Sequence, residues 1–214
     1  MSGYLKRRLD SLLEQTSLSV SAEQRDKLVG YVLLLHKWNR VYNLTAVREP
    51  HDMLTRHVMD SIIIAHDMGA MGQRFVDAGT GPGLPGIPLA IVRPDKELHL
   101  LDSSSKRIHF VRQAVHELEI PNTNIFHNRI EAHRPKERYD GVISRALAPI
   151  VKMLNLCRYL VKSGSGTFLA LRGKVLKNEI HSLPPWCQLE QIRPLVIPGL
   201  ENEERHLVIF SRAH

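Results

Sequence analysis

The sequence predicts an α/β protein: a Rossmann-like architecture, with a mostly parallel sheet, an antiparallel C-terminal edge and an N-terminal helical extension. Three observations predict it. From Arg74 onward short apolar runs alternate with helical patterns across short connections, the grammar of βαβ units. The run Phe75-Val76-Asp77-Ala78 enters Gly79-Thr80-Gly81-Pro82-Gly83-Leu84-Pro85-Gly86, a strand feeding a glycine-rich turn at a helix start. Residues 188–197 and 206–211 read as two strands with no helix between them, a hairpin closing one edge of the sheet.

In chain order, residues 4–13 form an amphipathic turn. Ser21 and Gln24 make a capping box for a helix over 22–40 whose stripe is Leu28, Val32, Leu35 and Trp38. A second helical pattern spans 53–68, with Leu54, Val58, Ile62 and Ala65 on one face, and Gly69 and Gly72 break it. Strands are expected at 74–78, 97–101, 124–127, 141–144 and 167–171, with helices at 84–92, 106–117 and 151–160. Residues 1–72 are thus expected to be a helical extension packed on a core of residues 73–214, the two forming one compact unit without repeats or low-complexity linkers.

Composition narrows the class. With 214 residues, 43% hydrophobic and 24% charged, the chain suits neither a disordered tail nor a fibre. A chain of this length buries roughly 70% of its unfolded surface, so it needs no staple. Cys157 and Cys187 form no CxxC pair, and the 12 histidines show no HxxxH or HExxH spacing; a metal site is not expected, and a reducing, cytoplasmic setting fits. Residues 1–15 lack the apolar segment of a secretory signal, so the acceptor triplet Asn43-Leu44-Thr45 carries no glycosylation meaning. The longest apolar run, 31–35, is far short of the roughly 20 residues that cross a bilayer.

The net charge of +7 is unevenly spread. Residues 104–177 hold 14 Lys and Arg against five Asp and Glu, whereas the remainder holds 15 against 17. A confined basic excess suggests an anionic partner, with a phosphate backbone the commonest, although a solvated cationic surface has the same composition.

The glycine turn carries the chemistry. Gly79, Gly81 and Gly83 fit a methyltransferase GxGxG, while Gly81, Gly83 and Gly86 fit a dinucleotide GxGxxG. Asp102, ending the second strand, suits a carboxylate accepting both ribose hydroxyls of an adenosine. Proline separates the two readings: a pyrophosphate needs backbone N–H donors at the helix start, and Pro82, Pro85 and Pro88 have none. S-adenosylmethionine, which has no phosphate, does not need them. The alternatives are an NAD-dependent oxidoreductase and a non-catalytic RNA-binding Rossmann module; the absence of aromatic RNA-binding boxes weighs against the second.

Six segments together resemble one family, the bacterial ribosomal RNA small subunit methyltransferase G or glucose-inhibited division protein B family: 34–49 (LLHKWNRVYNLTAVRE), 56–61 (RHVMDS), 77–91 (DAGTGPGLPGIPLAI), 100–107 (LLDSSSKR), 140–146 (DGVISRA) and 204–209 (ERHLVI). The resemblance implies methyl transfer from S-adenosyl-L-methionine to N7 of a guanine, guanine 527, in 16S small-subunit ribosomal RNA, free or in a ribosomal particle. It further implies that Gly79 and Leu84 line the cofactor, that Ile130 and Glu131 flank the adenine, and that Arg145 closes the site. Gly81 and Asp102 join this cofactor set through the turn reading. The sequence departs from the family pattern at Ser103-Ser104-Ser105, where Ser-Leu-Gly is expected.

Read by position alone, Glu131 could equally pair with Arg129 or Arg134, and Arg145 ends a strand beside the switch point, where it could hold a carboxylate or an RNA phosphate. Lys106, Arg107, Arg145, Arg172 and Lys174 come after strand ends on the ligand side and are the candidates for RNA phosphate contact. His57 and Asp60, about one turn apart, either face the cofactor cleft or tie the extension to the sheet. Guanine N7 bears a lone pair and no proton, so its methylation needs no general base, and the catalytic residue is left unassigned. A monomer is expected.

Overall fold

The computed structural model describes residues 1–175 and 177–213. It opens with helices α1 (Ser2–Leu13) and α2 (Ala22–Tyr42). The capping box forms as the sequence predicts: the Ser21 side chain accepts the Gln24 N–H at 3.2 Å and the Gln24 side chain accepts the Ser21 N–H at 2.9 Å. Asn43, in the left-handed conformation with φ 49°, ends α2.

The segment predicted as one helix over 53–68 is built differently. A short helix α3 (Pro50–Met53) runs into a π-helical turn (Leu54–Met59) and a further helical turn α4 (Asp60–Ile62), after which the chain proceeds in turns. Leu54, Val58, Ile62 and Ala65 are buried as the periodicity requires, but so are Thr55, His57, Asp60 and Ser61. A π turn holds an extra residue, which shifts the phase of the residues after it, and a 3.6-residue repeat carries no signal of that shift.

The sheet contains β1 (Arg74–Ala78), β2 (Glu97–Asp102), β3 (Thr123–His127), β4 (Gly141–Arg145), β5 (Thr167–Arg172), β6 (Cys187–Pro194) and β7 (His206–Arg212). Helices α5 (Gly86–Val92), α6 (Ser105–Glu117), α7 (Ile150–Cys157) and α8 (Lys177–His181) connect them. The spatial order is β3-β2-β1-β4-β5-β7-β6, parallel from β3 through β5, with β7 antiparallel to both neighbours. This is the expected sheet with the expected edge hairpin. Helix α5 starts later than the periodicity suggests because residues 80–85 stay in the turn, and β6 ends at Pro194 rather than at 197.

Alternation along the strands divides the core between two faces. Phe75, Leu98, Leu100 and Ile143 pack with the N-terminal helices, including Leu28, Val32, Leu35 and Met53. Val76, Ala78, Leu101 and Val142 pack with Ile150, Met153 and Leu154 of α7. The helical extension also reaches the glycine turn directly, where the buried Tyr31 hydroxyl donates to the Pro82 carbonyl at 2.9 Å. Strand order reverses between β1 and β4, so a crevice opens beyond the carboxyl ends of these strands.

Gly86 shows how tightly α5 is seated: a Cβ built there would lie 2.2 Å from Leu100 Cδ2 and 2.7 Å from Asp77 Oδ2. Gly86→Ala is expected to destabilise the protein by about 1–3 kcal/mol, read as a lower denaturant midpoint at unchanged slope.

Candidate active site

The crevice is shaped by two carboxylates. Asp77, near the end of β1, is fully buried; its Oδ2 accepts the Thr80 hydroxyl at 2.5 Å and the Gly86 N–H at 2.8 Å. Asp102, ending β2, accepts the Gly81 N–H through Oδ2 at 2.9 Å and the Ser104 N–H through Oδ1 at 2.8 Å. Ser104 is also the N-cap residue of α6, so in the segment that departs from the family pattern its amide meets Asp102.

These bonds complete an accounting of the turn's donors. The Gly79 and Thr80 N–H groups both reach the Leu101 carbonyl, those of Gly83 and Leu84 reach the Thr80 carbonyl, and that of Ile87 reaches the Gly83 carbonyl. With Gly81 and Gly86 held by carboxylates and prolines at 82 and 85, every backbone N–H from 79 to 87 is already engaged. No donor is left to cradle a pyrophosphate, which bears out the expectation drawn from the prolines. Gly79, Gly81 and Gly83 all adopt positive φ, at 72°, 59° and 94°, as the GxGxG reading requires, whereas Gly86 serves close packing.

Two cavities meet at this turn. The larger, about 570 Å³, is lined by Gly79, Gly81, Leu84, Arg107, Arg145 and Arg172 among the predicted residues, and also by Arg56, His57, Asp60 and Arg205. The smaller, about 330 Å³, is lined by Gly79, Asp102, Arg107, Ile130, Glu131 and Arg145. The seven residues expected at the cofactor therefore gather around two adjoining spaces, with Gly79, Arg107 and Arg145 common to both. Of the candidates for RNA contact, Lys106 and Lys174 are exposed and line neither. Glu131 forms no ion pair with Arg129 or Arg134 among the described residues; Arg134 donates instead to the Glu131 carbonyl at 2.7 Å.

Arg145 is bound within the protein rather than left open. Its Nη1 donates to Asp60 Oδ2 at 2.9 Å and to the Arg56 carbonyl at 3.0 Å. Asp60 Oδ1 in turn accepts Arg205 Nε at 3.2 Å, and Arg205 and Arg56 share Glu203 at 2.8 and 2.6 Å. Arg172 donates to the Ala148 carbonyl at 2.7 Å and pairs with Glu179 at 3.3 Å. Beyond Arg145, Ala146 has φ 52°, a left-handed conformation that costs a non-glycine residue and lies in the wall of both cavities. In the sequence Arg56 and Arg205 stand out only as members of longer motifs. Arg205, in the β6–β7 connection, carries no local signal of a partnership with Asp60, since the two are joined only by the fold.

His57 and Asp60 are both buried and line the larger cavity, and Asp60 also ties the helical extension to the sheet through Arg145 of β4. His57 Nε2 lies 2.8 Å from Thr45 Oγ1, and Nδ1 has no partner among the described residues. Burial, aided by the Arg145 charge, lowers the His57 pKa to about 4, so the imidazole is neutral. Burial raises the Asp77 pKa to about 6 against the opposing hydrogen bonds of Thr80 and Gly86. Among the described residues no cluster of three His, Cys, Asp or Glu side chains could hold a metal ion, and no helix is long and apolar enough to cross a membrane.

A sequence model of the family described as rRNA small subunit methyltransferase G matches residues 24–208. The chain belongs to that family. It is 52% identical over 208 residues to the ribosomal RNA small subunit methyltransferase G of Vibrio vulnificus, covering 97% of each chain, and 51% identical over 208 residues to that of Vibrio campbellii, again covering 97% of each. Among solved structures, magnesium protoporphyrin IX methyltransferase from Synechocystis, crystallised with bound S-adenosylmethionine, superposes with a TM-score of 0.60 at 15% identity, covering 92% of this chain and 100% of that one. The fold is thus a methyltransferase fold, and family membership sets aside the nicotinamide-dependent alternative.

S-adenosyl-L-methionine is the methyl donor that the family implies, and the residues present fit it. A Cβ added at Gly81 would meet no atom within 4 Å, so the missing side chain leaves open space on the cavity wall. The turn withholds phosphate donors while Asp102 presents a carboxylate beside it.

The two buried titrations oppose each other. Asp77, whose folded pKa lies above its unfolded 3.8, contributes stability that is full below about 3.8 and lost as pH rises through about 6. His57, whose folded pKa lies below 6.5, contributes stability that grows as pH rises from about 4 to 6.5. Urea unfolding across this range should show Asp77→Asn gaining stability relative to the parent with rising pH, and His57→Gln losing it. Parallel curves for all three proteins would refute these assignments.

Proposed function

We propose that this rRNA methyltransferase transfers the methyl group of S-adenosyl-L-methionine to N7 of a guanine in 16S small-subunit ribosomal RNA, guanine 527 by family resemblance. The observation that carries the N7 reading is the state of the titratable groups in the larger cavity. His57 is held neutral with its pKa near 4, and Asp60 is shared between Arg145 and Arg205. His57 is therefore a weak base near neutral pH and both Asp60 oxygens are already engaged by guanidinium groups, whereas N7 has no proton to remove, unlike an exocyclic amine or a ribose hydroxyl.

In this reading Gly79, Gly81, Leu84 and Arg145 hold the cofactor from the larger cavity, and Asp102, Ile130 and Glu131 hold its adenosine part from the smaller one. When bound, the sulfonium supplies an already activated methyl group. The protein's own task is then to align the purine with that group and to exclude water. It must also tolerate positive charge arriving on the base. Asp60 supports this, because its carboxylate compensates two of the arginines that would otherwise oppose that charge.

Lys106, Arg107, Arg145, Arg172 and Lys174 are proposed to meet RNA phosphate, the exposed lysines directly and the arginines through donors that their internal pairs leave over. The chain is further proposed to work as a monomer in the cytoplasm, with residues 1–72 as a helical extension of the catalytic core.

The deciding assay is transfer of a tritiated methyl group to small-subunit RNA and particles from cells lacking this gene, followed by mass spectrometry of the digested product. Label recovered as N7-methylguanine at one site is the expected result; label on another atom refutes the N7 reading, and no label leaves a non-catalytic RNA-binding module. Asp60→Asn, which frees Arg145 and Arg205 beside a cationic donor, is expected to raise the KM for S-adenosylmethionine. Lys106→Glu combined with Lys174→Glu should weaken RNA binding and flatten its salt dependence by about one unit of slope per lost phosphate contact.

A further inference from the structure

Outside both cavities, aromatic side chains gather where α2 meets α6. Trp38 and Tyr42, one turn apart on α2, stack with ring centroids 5.2 Å apart and planes inclined by 24°. His109 of α6 lies 5.3 Å from Trp38, and the buried Phe110 supports the indole from below at 5.7 Å. Tyr42 is 38% exposed and its neighbour Val41 72% exposed, while Trp38 is half-buried. The pair thus joins the core through Trp38 and leaves Tyr42 partly open to solvent beside an exposed valine.

The flanking segments are rich in cations, with the first acids, Glu49 and Glu117, just beyond them. Residues 36–48 and 105–116 contain Lys37, Arg40, Arg48, Lys106, Arg107 and Arg112 and no Asp or Glu. Among the described residues only Arg107 of these six forms an ion pair, with Asp102 at 3.6 Å. The two elements that carry the patch also reach the cavities: Arg107 of α6 lines both, and Val47, five residues after Tyr42, lines the larger.

We propose that this surface is a stacking platform for an unpaired nucleotide of the substrate RNA other than the target guanine. The base lies against the aromatic face that Tyr42 and Trp38 present, and the uncompensated cations hold the flanking phosphates. Base stacking on an aromatic ring tolerates any base, and a basic border supplies the sequence-independent part of the affinity. The proposal rests on the rRNA-methylating reading above and adds a second point of grip that would set the register of the RNA over the cavity.

The test compares the parent with Tyr42→Ala, Tyr42→Leu, Tyr42→Phe and Arg40→Ala, measuring methyl transfer to small-subunit RNA alongside direct binding of that RNA at several salt concentrations. Leu keeps apolar bulk at the helix end without an aromatic face, which separates stacking from folding. Tyr42→Ala and Tyr42→Leu are expected to raise the RNA KM and Kd about tenfold, with kcat, the KM for S-adenosylmethionine and the salt slope unchanged. Tyr42→Phe should stay near the parent, and Arg40→Ala should lower the salt slope by about one. If the Ala and Leu variants keep the parent's RNA affinity, or if Phe loses as much as Ala, the platform is refuted. A parent that binds RNA but transfers no methyl group overturns the catalytic reading instead, and the binding arm then still decides the platform.

Discussion

The Asp77 carboxylate organises the site. It is buried near the end of the central strand without an ion pair among the described residues, and two hydrogen bonds to one oxygen, from Thr80 and Gly86, hold the chain in the turn between β1 and α5. A carboxylate in that position is costly, as its raised pKa shows, and its cost is set against the shape it imposes. With the turn held from below by Asp77 and from the side by Asp102, the three glycines can take positive φ and leave a smooth wall for a ligand. The same turn consumes its own amides. The motif that looks most like a phosphate cradle is therefore chemically closed to phosphate and suited to a donor that has none.

Electrostatics supplies the second layer. Five arginines line the larger cavity, yet each is paired within the protein: Arg56 and Arg205 with Glu203, Arg145 and Arg205 with Asp60, Arg172 with Glu179, Arg107 with Asp102. Pairing holds the guanidinium groups in place and tempers their field in the cavity proposed for the cationic cofactor. Among the described residues, the cations without an ion pair include Lys37 and Arg40 of α2, Lys106 and Arg112 of α6, and Lys174, all exposed and outside both cavities, where an RNA backbone can neutralise them. The inner arginines thus shape the cavity and the outer ones suit the attraction of substrate.

Much of this was legible in the residues, for identifiable reasons. The capping box at Ser21 and Gln24, the βαβ alternation and the glycine spacing are local patterns, and local patterns survive into the fold. The helix predicted over 53–68 did not survive intact, because a π turn leaves hydrophobic periodicity almost unchanged while turning His57 and Asp60 inward. The aromatic patch was invisible for another reason: Trp38 reads as the end of an amphipathic stripe, Tyr42 falls beyond the helix predicted over 22–40, and His109 lies far along the chain.

By itself, then, the sequence determined the fold class, the glycine turn and the confined basic excess that suits an anionic partner, since each depends on residue type at short spacing or on summed charge. Only the tertiary structure decided which arginines are held in internal pairs, that Asp60 joins β4 to the β6–β7 connection, and that aromatic rings from two helices share one exposed face. Those outcomes depend on distances between residues remote in the chain, and such distances are set when the helices dock on the sheet.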